Sequence, residues 1–452
     1  MEPFRFHIFA CEQQKPEGVP SCPANGSAQT MEALRKEIAA RGLLDEVQIT
    51  SCGSLGLCER GPNMVVYPGG FWYSGVKPED VPELVESHFV KDRPLERLLN
   101  RDENAVAAEV RMNRDRYLAA RRAAEAAGTM PPEWSAMIRG YQDSRTFLTA
   151  IEMDLFSAVG EGCTASEVAK QTGASERGIE LILNALTAMG FLTKRDSTFA
   201  CTPEAERFFA VGGEHDARAA MMHHSALWRR WSNLTDSVRS GTAAGYEEMS
   251  DRGQGWTRAF IAAMHRNASG HAPIVARAVG LTGVRRMLDV GGGSGAYSIA
   301  FAKANPELHA QVFDLETVLP ITLGHIHDAG VEDRVTVKAG DLRHDRFGEG
   351  FDLVLLSAIC HMLDEAENQD LLRRCFDAIS PGGRIVIQDF ILEANGTAPR
   401  TGALFSLNML VGTKGGRSFT GEEYQGWLGG AGFENVRYVN LPGPTGLMIG
   451  SK

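Results

Sequence analysis

The stretch LDVGGGSGAYS, Leu288–Ser298, constrains this chain more than any other. Apolar residues run into it and helix-forming residues run out, so it reads as a strand, a glycine-rich turn and a helix start. Glycines there let the backbone approach a ligand closely, and a helix N-terminus favours negative groups. The turn fits two patterns. Gly291, Gly293 and Ala296 fit the dinucleotide pattern G-x-G-x-x-A. Asp289, Gly291, Gly293 and Gly295 fit D-x-G-x-G-x-G, with an acid at the strand end. Either reading wants an acid after the next strand to hold a ribose, and VFDLE supplies Asp314.

The surroundings of the turn repeat its alternation. From about residue 283, strands in RRMLDVGGGSG, HAQVFDL, RVTVKAGDL, FDLVLLSAI and GGRIVIQDF are spaced by helices. This predicts a doubly wound parallel α/β sheet. The tail VRYVNLPGPTGLMIGSK predicts a hairpin at its edge. Upstream, 135–245 reads as mainly helical, with Thr164 and Ser175 as N-caps and a strand pair in FLTKRDSTFACT: a helix-turn-helix with a wing. Residues 101–127 are rich in alanine and charge and read as a solvated helical linker. Before them, FRFHIFA, VQIT, NMVVYP and FWYSGV read as strands, the last two joined at Pro68-Gly69-Gly70, with helices over 30–44 and 77–90. The chain of 452 residues thus divides into 1–100, 101–130, 131–245 and 246–452.

A net charge of −11 argues against a nucleic-acid partner. No apolar run reaches the roughly eighteen residues of a membrane span. The start, MEPFRFHIFACEQQ, lacks the basic region and apolar core of a signal peptide, so a cytoplasmic protein is expected.

Residues 135–452 resemble the two-domain small-molecule O-methyltransferases, the family of caffeate, hydroxyneurosporene and acetylserotonin enzymes. The resemblance rests on AIEMDLF, the winged helix, DVGGGSG, FDL, GDL, ICHMLDE, PGGRIVIQDF and LNMLVGTKGGR. It implies S-adenosylmethionine rather than a nicotinamide cofactor. The implied cofactor residues are Asp289, Gly291, Gly293, Gly295, Asp314, Leu315, Asp341 and Leu342. It also implies a C-terminal Rossmann-like methyltransferase sheet and a homodimer through the central winged-helix domain. DNA recognition would need a basic second helix, and SERGIELILNAL offers Glu176, Arg177 and Glu180 instead.

Methyl transfer needs donor and acceptor held in line and a deprotonated nucleophile. A phenol has a pKa of about 10, so a general base helps. The resemblance assigns that role to His361, with Asp389 as a flanking acid. A buried structural histidine is the alternative. Where relatives often carry a second acid after Gly-Gly-Arg, this chain has Ser418. A thiol acceptor, with a pKa of about 8.5, needs less activation, so S-methylation stands second to O-methylation. By position, Phe260, Met264, His265, Phe405, Asn408 and Met409 are the acceptor-pocket candidates. A catalytically inactive, redox-responsive regulator stands third. The adjacent His223 and His224 cannot converge on one ion from a helix.

Four of the eight cysteines fall before residue 60, and in a reducing compartment they read as a metal or redox group. The first hundred residues resemble the thioredoxin-like [2Fe–2S] ferredoxins, through FACEQQKPEGVPSC and LGLCERGPNMVVYPGGFWYSGVKPEDV. That family's second ligand pair is Cys-x-x-x-Cys, as in SGCLGLCE. This chain reads SCGSLGLCE, with Ser54 at a ligand position and Cys52 two residues earlier. The resemblance implies a cluster on Cys11, Cys22, Cys52 and Cys58, with Cys52 reaching in through a loop made pliable by Gly53 and Gly56. Ligation by Ser54, or no cluster, are the alternatives. The domain would sense redox state, dock a redox partner or deliver a substrate.

Overall fold

The computed structural model describes residues 4–13, 15, 20–246 and 253–452, so Gln14 and residues 16–19 of the FACEQQKPEGVPSC motif lie outside the described residues. Contacts divide the chain into two units, Met1–Gly140 and Tyr141–Lys452.

In the first unit, β1 (Phe6–Cys11) and β2 (Val47–Cys52) run parallel, connected through the helix Ser27–Ala40. β3 (Asn63–Tyr67) and β4 (Phe71–Ser74) form the hairpin expected at Pro68-Gly69-Gly70. β3 pairs antiparallel with β1, giving the order β2-β1-β3-β4. The alternation in FRFHIFA turns Phe6, Ile8 and Ala10 inward, against Met31, Leu34 and Ile38 of the helix. The helix Glu103–Ala126 is not wholly solvated, contrary to its composition. Val106 is buried, Asn113 Nδ2 donates to the Gly56 carbonyl at 2.7 Å, and Arg60 pairs with Glu109. Val106 and Val110 lie one turn apart on its inner face; two apolar residues among many alanines were too faint a stripe to read.

In the second unit, Thr164 and Ser175 cap their helices, accepting from Glu167 N at 3.3 Å and Gly178 N at 3.1 Å. The wing strands β6 (Leu192–Arg195) and β7 (Thr198–Cys201) gain a partner that sequence did not show, β5 (Cys163–Thr164). The larger sheet contains β8 (Arg286–Val290), β9 (His309–Asp314), β10 (Val335–Ala339), β11 (Phe351–Ser357) and β12 (Ile379–Asp389) in parallel. β13 (Glu434–Asn440) and β14 (Gly446–Ser451) close its edge antiparallel. The order is β10-β9-β8-β11-β12-β14-β13. Order reverses between β8 and β11, and ligands of such sheets bind at the carboxyl ends near that point. No helix among the described residues is long and apolar enough to cross a membrane.

Candidate active site

The carboxyl ends of the parallel strands open on a cavity of about 660 Å³. On one side stand the acids. Asp289, in β8, is fully buried; its Oδ2 accepts from Ser298 Oγ at 2.8 Å, and its Oδ1 has no partner. Burial, with the nearby charge of Asp314 adding, pushes its pKa up to about 7 despite the Ser298 hydrogen bond. Asp314 ends β9 and accepts from Gly293 N and Leu315 N, each at 2.7 Å. Burial still pushes it up to about 6. Asp341 follows β10 and accepts from Arg343 N at 2.8 Å. All three line the cavity with Gly291, Gly293, Leu315 and Leu342. Gly295 does not; it starts the following helix at φ 75°. Gly291 has φ 67°, and a Cβ there would stand 2.3 Å from Ile359 Cδ1. A buried, partnerless carboxylate oxygen on the wall calls for a cationic or donating ligand group. S-adenosylmethionine, a nucleoside with a sulfonium and an ammonium, fits that demand.

Across the cavity is His361. β11 is followed by Ala358, whose φ of 58° is rare for a non-glycine residue. The turn Cys360–Met362 then presents the imidazole. His361 is 5% exposed and Asp389, at the end of β12, 1%. His361 Nδ1 donates to Asp389 Oδ1 at 2.6 Å. Among the described residues Nε2 has no hydrogen-bond partner, and the residue lines the cavity. Tyr424, which sequence reasoning missed, donates its hydroxyl to Asp389 Oδ2 at 3.1 Å. Ser418 is buried, with its hydroxyl donating to the Gly402 carbonyl at 2.9 Å.

Aromatic faces form the remaining wall. Phe390 and Phe405 stack at 3.9 Å between centroids, with Phe405 edge-on to His361 at 4.7 Å. Trp256 and Phe260 stack at 5.0 Å. Met264, Asn408 and Met409 line the same space, and Asn408 Oδ1 accepts from Trp231 Nε1 at 2.9 Å. His265 is not on this wall: its Nδ1 meets Ser294 Oγ at 2.9 Å and its ring stacks on His325. His223 does line it, edge-on to Phe260 at 5.3 Å, and burial lowers its pKa to about 4. Arg230, Tyr246 and Trp256 were also missed; they come from separate elements and form no local pattern.

In the first unit, Cys11, Cys22 and Cys58 are buried and Cys52 is partly exposed. The Cys22 thiol donates to Cys11, lowering Cys11 to about 6 and raising Cys22. The backbone of Gln13 and Leu55 adds to the lowering at Cys11, and Asn63 Nδ2 donates to Cys22 Sγ at 3.2 Å. Lys15 Nζ donates to Cys58 Sγ at 2.9 Å. Among the described residues no three His, Cys, Asp or Glu side chains converge as on one metal ion.

Residues 231–434 match the O-methyltransferase domain and residues 135–210 the O-methyltransferase dimerisation domain. The chain is 34% identical over 322 residues to 3-hydroxy-5-methyl-1-naphthoate 3-O-methyltransferase of Streptomyces sahachiroi, covering 69% of this chain and 93% of that protein. It is 29% identical over 336 residues to acetylserotonin O-methyltransferase of Bos taurus, covering 69% and 95%. Among solved structures, an O-methyltransferase family protein from Burkholderia thailandensis superposes with a TM-score of 0.65 at 25% identity, covering 71% of this chain and 97% of that one.

Proposed function

This chain belongs to the O-methyltransferase family that joins a methyltransferase domain to a dimerisation domain, and from that premise we propose that it methylates a hydroxyl of a small aromatic molecule with His361 as general base. One observation carries the base assignment: a buried imidazole bonded through Nδ1 to Asp389, with Nε2 left facing the cavity. Bound S-adenosylmethionine supplies an electrophilic methyl and its own leaving group. Asp389 holds the tautomer in which Nε2 is bare, so Nε2 can accept the hydroxyl proton of the acceptor. Asp289, Asp314 and Asp341 hold the cationic nucleoside. The stacked pairs Phe390–Phe405 and Trp256–Phe260 favour a flat ring beside that nitrogen. Met264, Asn408 and Met409 complete the acceptor pocket, and the dimerisation domain supports a homodimer.

The thiol alternative drew on Ser418 in place of an acid. His361 nevertheless keeps one buried carboxylate partner, which favours oxygen. The relative from Streptomyces sahachiroi acts, by its name, on a hydroxylated naphthoate, and acceptors of that polycyclic kind are the first to try.

For the first unit the reading is a thioredoxin-like [2Fe–2S] domain in a cytoplasmic protein, able to meet a redox partner. Its support is the β2-β1-β3-β4 order and the N–H donors aimed at buried cysteine sulfurs, which suit thiolates on iron. The domains run 1–100, 101–130, 131–245 and 246–452.

The test is anaerobic incubation with S-adenosylmethionine and a panel of hydroxyarenes and small thiols, read by mass spectrometry. Methyl ethers are expected, formed about 10³-fold more slowly by His361→Ala, with cofactor affinity unchanged. Methyl thioethers, with His361→Ala nearly as active as the parent, would move the reading to sulfur.

A further inference from the structure

We infer that Arg230 reads an anionic group on the acceptor, so that the preferred substrate is a fused-ring hydroxyarene with a carboxylate at the end remote from the reacting hydroxyl. The inference rests on the hydroxyl-methylation reading above and deepens it.

Among the described residues, the aspartates and cations lining the cavity are Asp289, Asp314, Asp341, Arg343 and Arg230. The first three stand on the cofactor side, and Arg343 is beside Asp341, to which its backbone N–H donates. Arg230 stands on the aromatic side. It arrives there because His223, Leu227 and Arg230 follow helical spacing along Arg218–Trp231, and all three line the cavity. Trp231 Nε1, donating to Asn408 Oδ1 at 2.9 Å, pins that helix to the opposite wall. Arg230 Cζ lies 5.6 Å from the centroid of the Trp256 ring. Trp256 stacks on Phe260, and Phe260 meets His223 edge-on. The four side chains thus form one continuous aromatic strip with a cation at one end. His223 adds no charge to it: burial holds its pKa down to about 4, with the charges of His224 and Arg230 adding. A second cation is close by, since Lys414 Nζ lies 5.1 Å from the ring centroid of Tyr246, which also lines the cavity.

The fold also sets how far this cation is from the proposed base. Gly412 follows the helix Arg400–Leu410 and lines the cavity, and a Cβ there would stand 3.4 Å from Arg230 Nη1. Phe405, on that helix, is edge-on to His361 at 4.7 Å. From Phe405 to Gly412 is two helical turns, about 10 Å of rise. Cation and base therefore mark opposite ends of the acceptor space. A single benzene ring is too short to meet both, whereas two fused rings with a substituent at each end suffice. The planar fork of a guanidinium matches a carboxylate. In a mostly apolar cavity, the few polar groups on the wall fix a ligand's orientation.

The experiment uses the full chain saturated with S-adenosylhomocysteine and calorimetry with three probes. They are a hydroxynaphthoate with hydroxyl and carboxylate at opposite ends of the two rings, its primary amide, and its isomer with the two groups on adjacent carbons. Rates with S-adenosylmethionine are measured in parallel. The opposite-end acid is expected to bind roughly tenfold tighter than its amide, and to be methylated roughly tenfold faster than the adjacent isomer. Arg230→Gln should abolish the preference for acid over amide, and Arg230→Lys should keep part of it. Equal binding of acid and amide by the parent protein would overturn the inference. So would an Arg230→Gln variant that weakens both alike, which is the mark of a packing residue. A retained preference for the acid, with no methyl ether formed from any probe, would keep the anion site and sink the hydroxyl-methylation reading instead.

Discussion

Asp389 accepts four hydrogen bonds from the fold: His361 Nδ1, the His361 and Phe390 backbone N–H groups, and the Tyr424 hydroxyl. Tyr424 is fully buried, so its hydroxyl has no water to turn to. It touches neither cavity nor cofactor and acts only by fixing the carboxylate that fixes the imidazole. Without it, Asp389 Oδ2 keeps one donor, the His361 backbone N–H, and the carboxylate is held less firmly against the imidazole. A carboxylate free to turn fixes the tautomer with hydrogen on Nδ1 less well, so Nε2 is less often bare to accept from substrate. Tyr424→Phe should therefore cut kcat roughly tenfold with little change in KM, since hydrogen bonds to charged groups are worth about 1.5–3 kcal/mol. In the His361→Ala background the same change should cost nothing further. An equal loss in both backgrounds would make Tyr424 a packing residue only. Gly416 belongs to the same scale. A Cβ there would lie 2.2 Å from the His361 carbonyl oxygen, a backbone atom that cannot step aside. The Gly-Gly before Arg417 is thus a contact requirement of the His361 turn, although sequence showed it only as a family motif.

At the level of elements, the loop after β8 and the turn after β11 come together where Gly291 faces Ile359. Ile359 sits two residues before His361, so crowding at the glycine loop is felt at the proposed base. Gly291→Ala would add a side chain at positive φ, at a cost of about 1–2 kcal/mol, and displace Ile359. Both cofactor affinity and kcat should fall, by roughly tenfold each, measurable by calorimetry and initial rates; a change in affinity alone would show the two elements to be independent. The glycine loop was legible because its chemistry is local: a strand, a turn and a helix start in eleven letters. The wing and the terminal hairpin were legible for the same reason, as short alternating runs beside turn residues. The left-handed Ala358 was not, because alanine carries no signal for that backbone. Nor was the docking of the helix Glu103–Ala126, whose two inward valines are diluted by alanine and charge. The cavity wall was half legible. Phe405, Asn408 and Met409 share a helix that the motif marks, whereas Trp256 reaches the helix of His223 and Arg230 only by tertiary packing.

For the molecule as a whole, the two buried acids tie stability to pH and to the cofactor. Asp289 and Asp314 have folded-state pKa values of about 7 and about 6, raised above an ordinary carboxylate by burial. Between pH about 4 and 7 the folded protein holds protons that the unfolded chain has released. This contribution to stability is complete below pH about 4 and lost as pH rises through 7. On the proposed binding mode a cationic cofactor should reverse the preference, binding best when both groups are ionised. Its affinity should therefore be roughly tenfold weaker at pH 6 than at pH 8, in step with ionisation of Asp289. Melting temperatures with and without saturating S-adenosylmethionine, taken from pH 5.5 to 8, should separate progressively as pH rises. S-adenosylhomocysteine has no sulfonium charge and should show a shallower trend. Asp289→Asn, which cannot ionise, should flatten the dependence for both ligands. A gap in melting temperature that stays constant across this range would mean that neither acid changes its protonation when the cofactor binds, and that the orphaned oxygen of Asp289 is satisfied by something other than positive charge.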